Sequence, residues 1–92
     1  MHRTVNHAIV LFEGHVQGVG FRYAALQVAK EFDVAGFVCN LADGRVRLEA
    51  EGAPAAVDGF IQAVGERMHG FVKNVERVIA SRVPEFSGFE IR

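Results

Sequence analysis

The stretch Gly14-His15-Val16-Gln17-Gly18-Val19-Gly20-Phe21-Arg22 combines residue types that packing does not explain. Gly14, Gly18 and Gly20 free the backbone to turn its N–H groups toward one centre. A helix beginning after Gly20 adds the partial positive charge of its N-terminus, and Arg22 adds a planar fork that matches two oxygens of an anion. Together these make a cradle for a phosphoryl group. Read plainly, the same residues form a glycine-rich strand-to-helix connection with a solvated Arg22. Arg22 weighs against the plain reading, because a cation in the first turn of a helix opposes the dipole unless an anion is bound there.

What the loop lacks narrows the chemistry. A Walker loop needs Lys followed by Ser or Thr after its last glycine, where this chain has Phe21-Arg22, and a dinucleotide loop needs a third glycine where Tyr23 stands. No nucleophilic cysteine precedes Arg22, and no carboxylate or histidine cluster for a metal stands near the loop. Such a cradle binds a phosphoryl group and positions water, but it offers no general acid for a poor leaving group. An acyl phosphate suits these limits. Its leaving group is a carboxylate, which departs without a proton, so positioning and electrostatic stabilisation suffice.

Hydrophobic periodicity supplies the elements that must hold the loop. Ala8-Ile9-Val10-Leu11-Phe12 reads as a buried strand. Phe21, Ala24, Ala25, Val28, Ala29 and Phe32 keep helical spacing and predict a helix from about Phe21 to Phe32. Gly36 opens Phe37-Val38-Cys39-Asn40-Leu41, and Asp43-Gly44 leads into Val46, Leu48 and Ala50 alternating with charged residues, a hairpin with a tight turn. Pro54 suits the first turn of a second helix carried by Val57, Phe60, Ile61, Val64 and Met68; Gly59 within it costs about 1 kcal/mol relative to Ala. Val75 to Arg82 and Phe89 to Arg92 read as strands separated by Pro84. The order βαββαβ plus a short terminal strand predicts an α+β, ferredoxin-like split βαβ sandwich, with an antiparallel sheet and both helices on one face.

Composition agrees with one small folded unit. The chain has 92 residues, 50% hydrophobic and 23% charged, which predicts a single domain over residues 1–92 with its own core. The net charge of −1 gives no global field for nucleic acid or an anionic membrane, so any anion site is local. The lone Cys39 excludes an internal disulfide and a cysteine-based zinc site. The N-terminus does not read as a signal peptide and no apolar run approaches 18 residues, so the expected location is cytoplasmic.

The Gly14–Arg22 loop, the segment Gly36-Phe37-Val38-Cys39-Asn40-Leu41-Ala42-Asp43-Gly44-Arg45-Val46 closed by Gly52, and the ending Gly88-Phe89-Glu90-Ile91-Arg92 together resemble the acylphosphatase family over nearly the whole chain. The resemblance implies a ferredoxin-like fold and metal-free, cofactor-free hydrolysis of acyl phosphates to carboxylate and inorganic phosphate. It implies a phosphate-binding loop of His15, Val16, Gln17, Gly18, Val19, Gly20, Phe21 and Arg22, in which Arg22 and the amides from about Val16 to Phe21 hold the phosphate. It also implies that Asn40 orients the attacking water. Cys39 and Phe12 depart from the family's usual residues, and neither removes a catalytic group.

The expected partners are an acyl phosphate and, as product and competitive ligand, inorganic phosphate; the chain is expected to be a monomer without nucleic-acid or membrane partners. Two other classes are weighed. One is a non-catalytic, anion-binding regulatory module, since domains resembling acylphosphatases also occur within hydrogenase-maturation carbamoyltransferases. The other is an RNA-binding ferredoxin-like domain, whose paired aromatic sheet motifs this chain lacks. Period two turns Cys39 away from Asn40 and predicts a buried small hydrophobe. His15 reads as a loop-tip side chain. Asn40, without the resemblance, reads as a strand-end residue capping the Asp43-Gly44 turn. Arg45 and Arg47 read as solvated surface, and Phe21 and Phe37 as core. His2, His7 and His69 have no metal-like spacing.

Overall fold

The computed structural model describes residues 3–92; His2 lies outside them. The chain runs β1 (Val5–Gly14), α1 (Phe21–Ala29), β2 (Val34–Asn40), β3 (Val46–Gly52), α2 (Pro54–Arg67), β4 (Val72–Arg82) and β5 (Phe89–Ile91). The strands form one sheet in the order β4-β1-β3-β2-β5, and the two helices pack on one of its faces. This is the ferredoxin-like α+β fold that the element order predicts. One feature of the predicted sheet is corrected: β1, β2, β3 and β4 pair antiparallel, but β5 lies parallel to β2. The connection after β4 carries the chain across the sheet to its opposite edge, where Gly36 N donates to Gly88 O and Arg92 N to Val38 O, each at 2.9 Å.

Alternation along the strands decides what faces the helices. Ala8, Val10 and Phe12 of β1, Val38 of β2 and Val46, Leu48 and Ala50 of β3 are fully buried against Phe21, Ala25 and Val28 of α1 and Val57, Phe60 and Val64 of α2. Phe12 and Phe21 pack with tilted rings 4.9 Å apart between centres, which seats the start of α1 on the end of β1.

Helix α1 stops at Ala29, three residues before the end its apolar stripe predicts. The chain tightens there into i→i+3 bonds, with Lys30 N donating to Gln27 O, Glu31 N to Val28 O and Phe32 N to Ala29 O. Phe32 thereby reaches α2, where a Cβ on Gly59 would lie 2.8 Å from Phe32 Cε1. Gly59 is the point on α2 where the Phe32 ring comes close. Strands β1, β2 and β4 also extend beyond their predicted starts, to Val5, Val34 and Val72.

The face away from the helices is not bare. His7, Glu49 and Glu51 are buried on it, and His7 Nε2 lies 2.8 Å from Glu49 Oε1. Arg47, expected to be solvated, donates to Glu49 Oε2 at 2.6 Å. Phe37 is buried here rather than among the helices, edge-on to Phe86 and beneath the Arg92 guanidinium. Cys39 shares this face and is half-buried, which corrects the expectation that it is a buried core residue.

Candidate active site

The β1–α1 loop takes its shape from two glycines. Gly18 has φ 76° and Gly20 has φ 79°, a conformation that strains any L side chain. A Cβ at either position would meet nothing within 4 Å, so backbone direction, not lack of room, requires glycine. Ala24 N donates to Gly20 O at 3.0 Å as the first rung of α1. The N–H groups of Phe21, Arg22 and Tyr23 precede that rung and have no acceptor within the helix, and Gly20 supplies no side-chain cap. Among the described residues these three donors have no backbone acceptor, and they sit at the positive end of the helix dipole.

A pocket of about 150 Å³ opens at this point. Val16 and Phe21, both buried, lie beneath it, Gly18 and Gly20 form the loop side, and Arg22, Tyr23 and Asn40 complete the lining. Arg22 is half-buried. Arg45, Arg47, Arg77, Arg82 and Arg92 each pair with a carboxylate, whereas Arg22 has no ion pair among the described residues. A half-buried guanidinium beside unbonded amides is an arrangement complementary to an anion. A larger hollow of about 510 Å³ is lined by Glu13, Asp43, Arg45 and Lys73. Its carboxylates Glu13 and Asp43 oppose an anion, whereas no carboxylate is among the residues lining the smaller pocket beside Arg22.

Asn40 reaches the pocket from the end of β2, across the sheet order from the loop. Its position depends on the β2–β3 connection, residues 41–45. That connection is closed by Leu41 N donating to Arg45 O at 2.8 Å and by Arg45 N donating to Asp43 Oδ1 at 3.0 Å. The Arg45 backbone N–H and side chain hold the Asp43 carboxyl below its ordinary value. Asn40 makes no side-chain hydrogen bond to the turn among the described residues, so turn-capping does not account for it. The turn is held instead from the loop. Gln17 Nε2 donates to Leu41 O at 2.8 Å and to Arg45 O at 3.0 Å.

Of the residues singled out from sequence, Val16, Gly18, Gly20, Phe21, Arg22 and Asn40 line one pocket. His15, Gln17 and Val19 do not. His15 is exposed near Phe71, Val19 packs against the core, and the Gln17 side chain is committed to the hairpin. Two features of the site are not set out by the sequence pattern. Tyr23, 69% exposed, stands at the pocket's rim, and nothing in its spacing marks it. The Gln17 tie had one available signal, a lone amide among glycines and valines. Among the described residues no three His, Cys, Asp or Glu side chains gather as metal ligands.

Fold and pocket together define a small ferredoxin-like protein with a glycine-shaped anion cradle between β1 and α1. The sequence matches the Acylphosphatase family model over residues 8–91. It is 42% identical over 80 residues to an acylphosphatase from Salinibacter ruber, covering 86% of this chain and 84% of that protein. It is 37% identical over 81 residues to one from Leuconostoc mesenteroides, covering 86% and 89%. The crystal structure of acylphosphatase from Bacillus subtilis superposes with a TM-score of 0.84 at 30% identity, over 95% of this chain and 98% of that one. The chain belongs to the acylphosphatase family and is an enzyme of that class.

Proposed function

We propose that this enzyme hydrolyses small acyl phosphates to carboxylate and inorganic phosphate without a metal ion, with Arg22 and the loop amides binding the phosphoryl group and Asn40 orienting the attacking water. The observation that carries the reading is the half-buried Arg22, without a carboxylate partner among the described residues, beside the first-turn amides of α1 and in one pocket with Asn40. Water oxygen attacks phosphorus, the phosphorus–oxygen bond to the acyl group breaks, and its electron pair leaves on the carboxylate. The water's protons stay with the phosphate product. Since the leaving group needs no proton, the absence of an acid side chain among the residues lining the pocket is no obstacle. Amides and Arg22 stabilise the charge on the equatorial oxygens as the bond breaks.

Benzoyl phosphate hydrolysis, followed with purified protein in EDTA, tests the reading. Acceleration over buffer, with competitive inhibition by inorganic phosphate, is expected. No acceleration would overturn the assignment, and activity appearing only on addition of a divalent ion would overturn its metal-free form.

A further inference from the structure

We infer that Gln17 is a positioning residue: its carboxamide fixes where Asn40 stands relative to the phosphate cradle, and so acts on turnover rather than on phosphate binding. The inference rests on the roles proposed above for the cradle and Asn40. Both side-chain hydrogens of Gln17 are used, at 2.8 Å to Leu41 O and 3.0 Å to Arg45 O, across 24 and 28 residues of sequence. These two carbonyls belong to the pair that closes the β2–β3 connection, and Leu41 directly follows Asn40. The loop bearing Gln17 has Gly18 as its next residue, so one end of the tie is the cradle itself and the other is the neighbour of Asn40.

Among the described residues no other hydrogen bond joins the β1–α1 loop to the β2–β3 connection. Asn40 pairs with Val46 at the last rung of the β2–β3 ladder, beyond which the connection leaves the sheet. Asp43 braces the turn against Arg45 within the same connection. The cradle hangs from β1, and β1 and β2 are not neighbours, since β3 lies between them. Without the tie, two groups that must meet on one phosphorus atom are related only through a strand end and a loop. Misplacement by about 1 Å is enough to cost up to about 100-fold in rate.

Gln17→Met keeps the length and bulk of the side chain and removes both donors; Gln17→Ala removes the side chain. In the intact chain, on protein shown to be folded by its unfolding transition, each is expected to lower kcat for benzoyl phosphate by about 10- to 100-fold and to leave the inhibition constant of inorganic phosphate within about twofold, the part of binding the tie does not touch. A double-mutant cycle with Asn40→Ala separates positioning from mere support. If Gln17 acts through Asn40, adding Gln17→Met to Asn40→Ala slows turnover little further. Full multiplication of the two effects, an unchanged kcat in folded Gln17→Met, or phosphate inhibition weakened in step with kcat would each overturn the inference while leaving the proposed reaction standing. Loss of the fold in both Gln17 variants would overturn it as well, making Gln17 a structural strut. Normal turnover in Asn40→Ala alone would instead overturn the role of Asn40, and this inference with it.

Discussion

Arg22 and Asn40 enter one pocket from different elements, and their proposed roles separate in kinetics. In the proposed role Arg22 contributes to the bound ground state as well as to the transition state, so Arg22→Ala is expected to abolish both turnover and competitive inhibition by phosphate. Arg22→Lys rescues poorly, because an ammonium is a point charge without the fork that spans two oxygens. If Asn40 acts on the water as proposed, Asn40→Ala keeps phosphate inhibition and loses about 10²–10³ in kcat, the usual cost of one positioned hydrogen-bonding group in a transition state. Phosphate affinity unchanged in Arg22→Ala, or kcat unchanged in folded Asn40→Ala, refutes the respective role. At this scale the sequence was unequally legible. Arg22 stood out on physical grounds, as a cation placed against a helix dipole. Asn40 did not, because a polar strand end beside Asp-Gly has an ordinary explanation; only the family motif singled it out, and the structure then left its side chain free of the turn. The hydrogen bonds of Gln17 were beyond reach, since they join positions 24 and 28 residues apart and exist only once the sheet order is known.

At the scale of elements, periodicity found each helix and strand but misjudged how they end. An apolar stripe reports which face is buried, not where the hydrogen-bond ladder stops, and Phe32 continued the stripe although the chain had already left α1 to deliver its ring to α2. Gly59 shows the same limit from the other side. By propensity it is a defect, and by packing it is the point where Phe32, itself 6.2 Å from Phe60 between ring centres, crosses the helix. Replacing Gly59 by Ala therefore sets a helix-propensity gain of about 1 kcal/mol against overpacking of about 1–3 kcal/mol, because the new Cβ would stand 2.8 Å from Phe32 Cε1. Gly59→Ala is expected to destabilise the protein by up to about 2 kcal/mol on those magnitudes. In a Phe32→Ala background the same change is expected to stabilise it. Denaturant midpoints of the four proteins check this, and a stabilising Gly59→Ala in the otherwise unaltered chain would show that the Phe32 ring moves aside at little cost and does not require glycine at this contact.

At the scale of the whole molecule, the helix-covered core was legible from alternation and the opposite face was not. Charged residues at Glu49 and Glu51 alternate with apolar ones just as a solvated face does; His7 and Arg47 engage Glu49, and the path of residues 83–88 across the sheet makes Glu51 a buried acceptor. Glu51, 3% exposed at its side chain, receives the Glu85 N–H at 2.7 Å, the Phe86 N–H at 2.5 Å and the Arg82 guanidinium at 3.1 Å. One carboxylate thereby fastens the crossing segment that leads to β5. Burial by itself raises the Glu51 carboxyl, but the donors from Phe86, Glu85 and Arg82 together outweigh it and hold the group below its ordinary value of 4.5. Glu49 is lowered in the same way, burial being outweighed by Arg47 and His7. In the unfolded chain both groups protonate near the ordinary value, whereas in the folded chain they resist. As pH falls through about 4.5 the unfolded state takes up protons first, so the stability these groups contribute is present above that pH and is lost progressively below it. Glu51→Gln is expected to cost about 1–3 kcal/mol at pH 7, since a buried charged acceptor with three donors is replaced by a neutral amide. It is also expected to flatten the fall in stability on acidification, leaving the share due to Glu49. Urea unfolding at pH 7 and at pH 3.5 measures both effects. An acid slope unchanged in Glu51→Gln would mean that the crossing segment is held by Phe86 and its aromatic contacts with His7 and Phe37 rather than by the carboxylate.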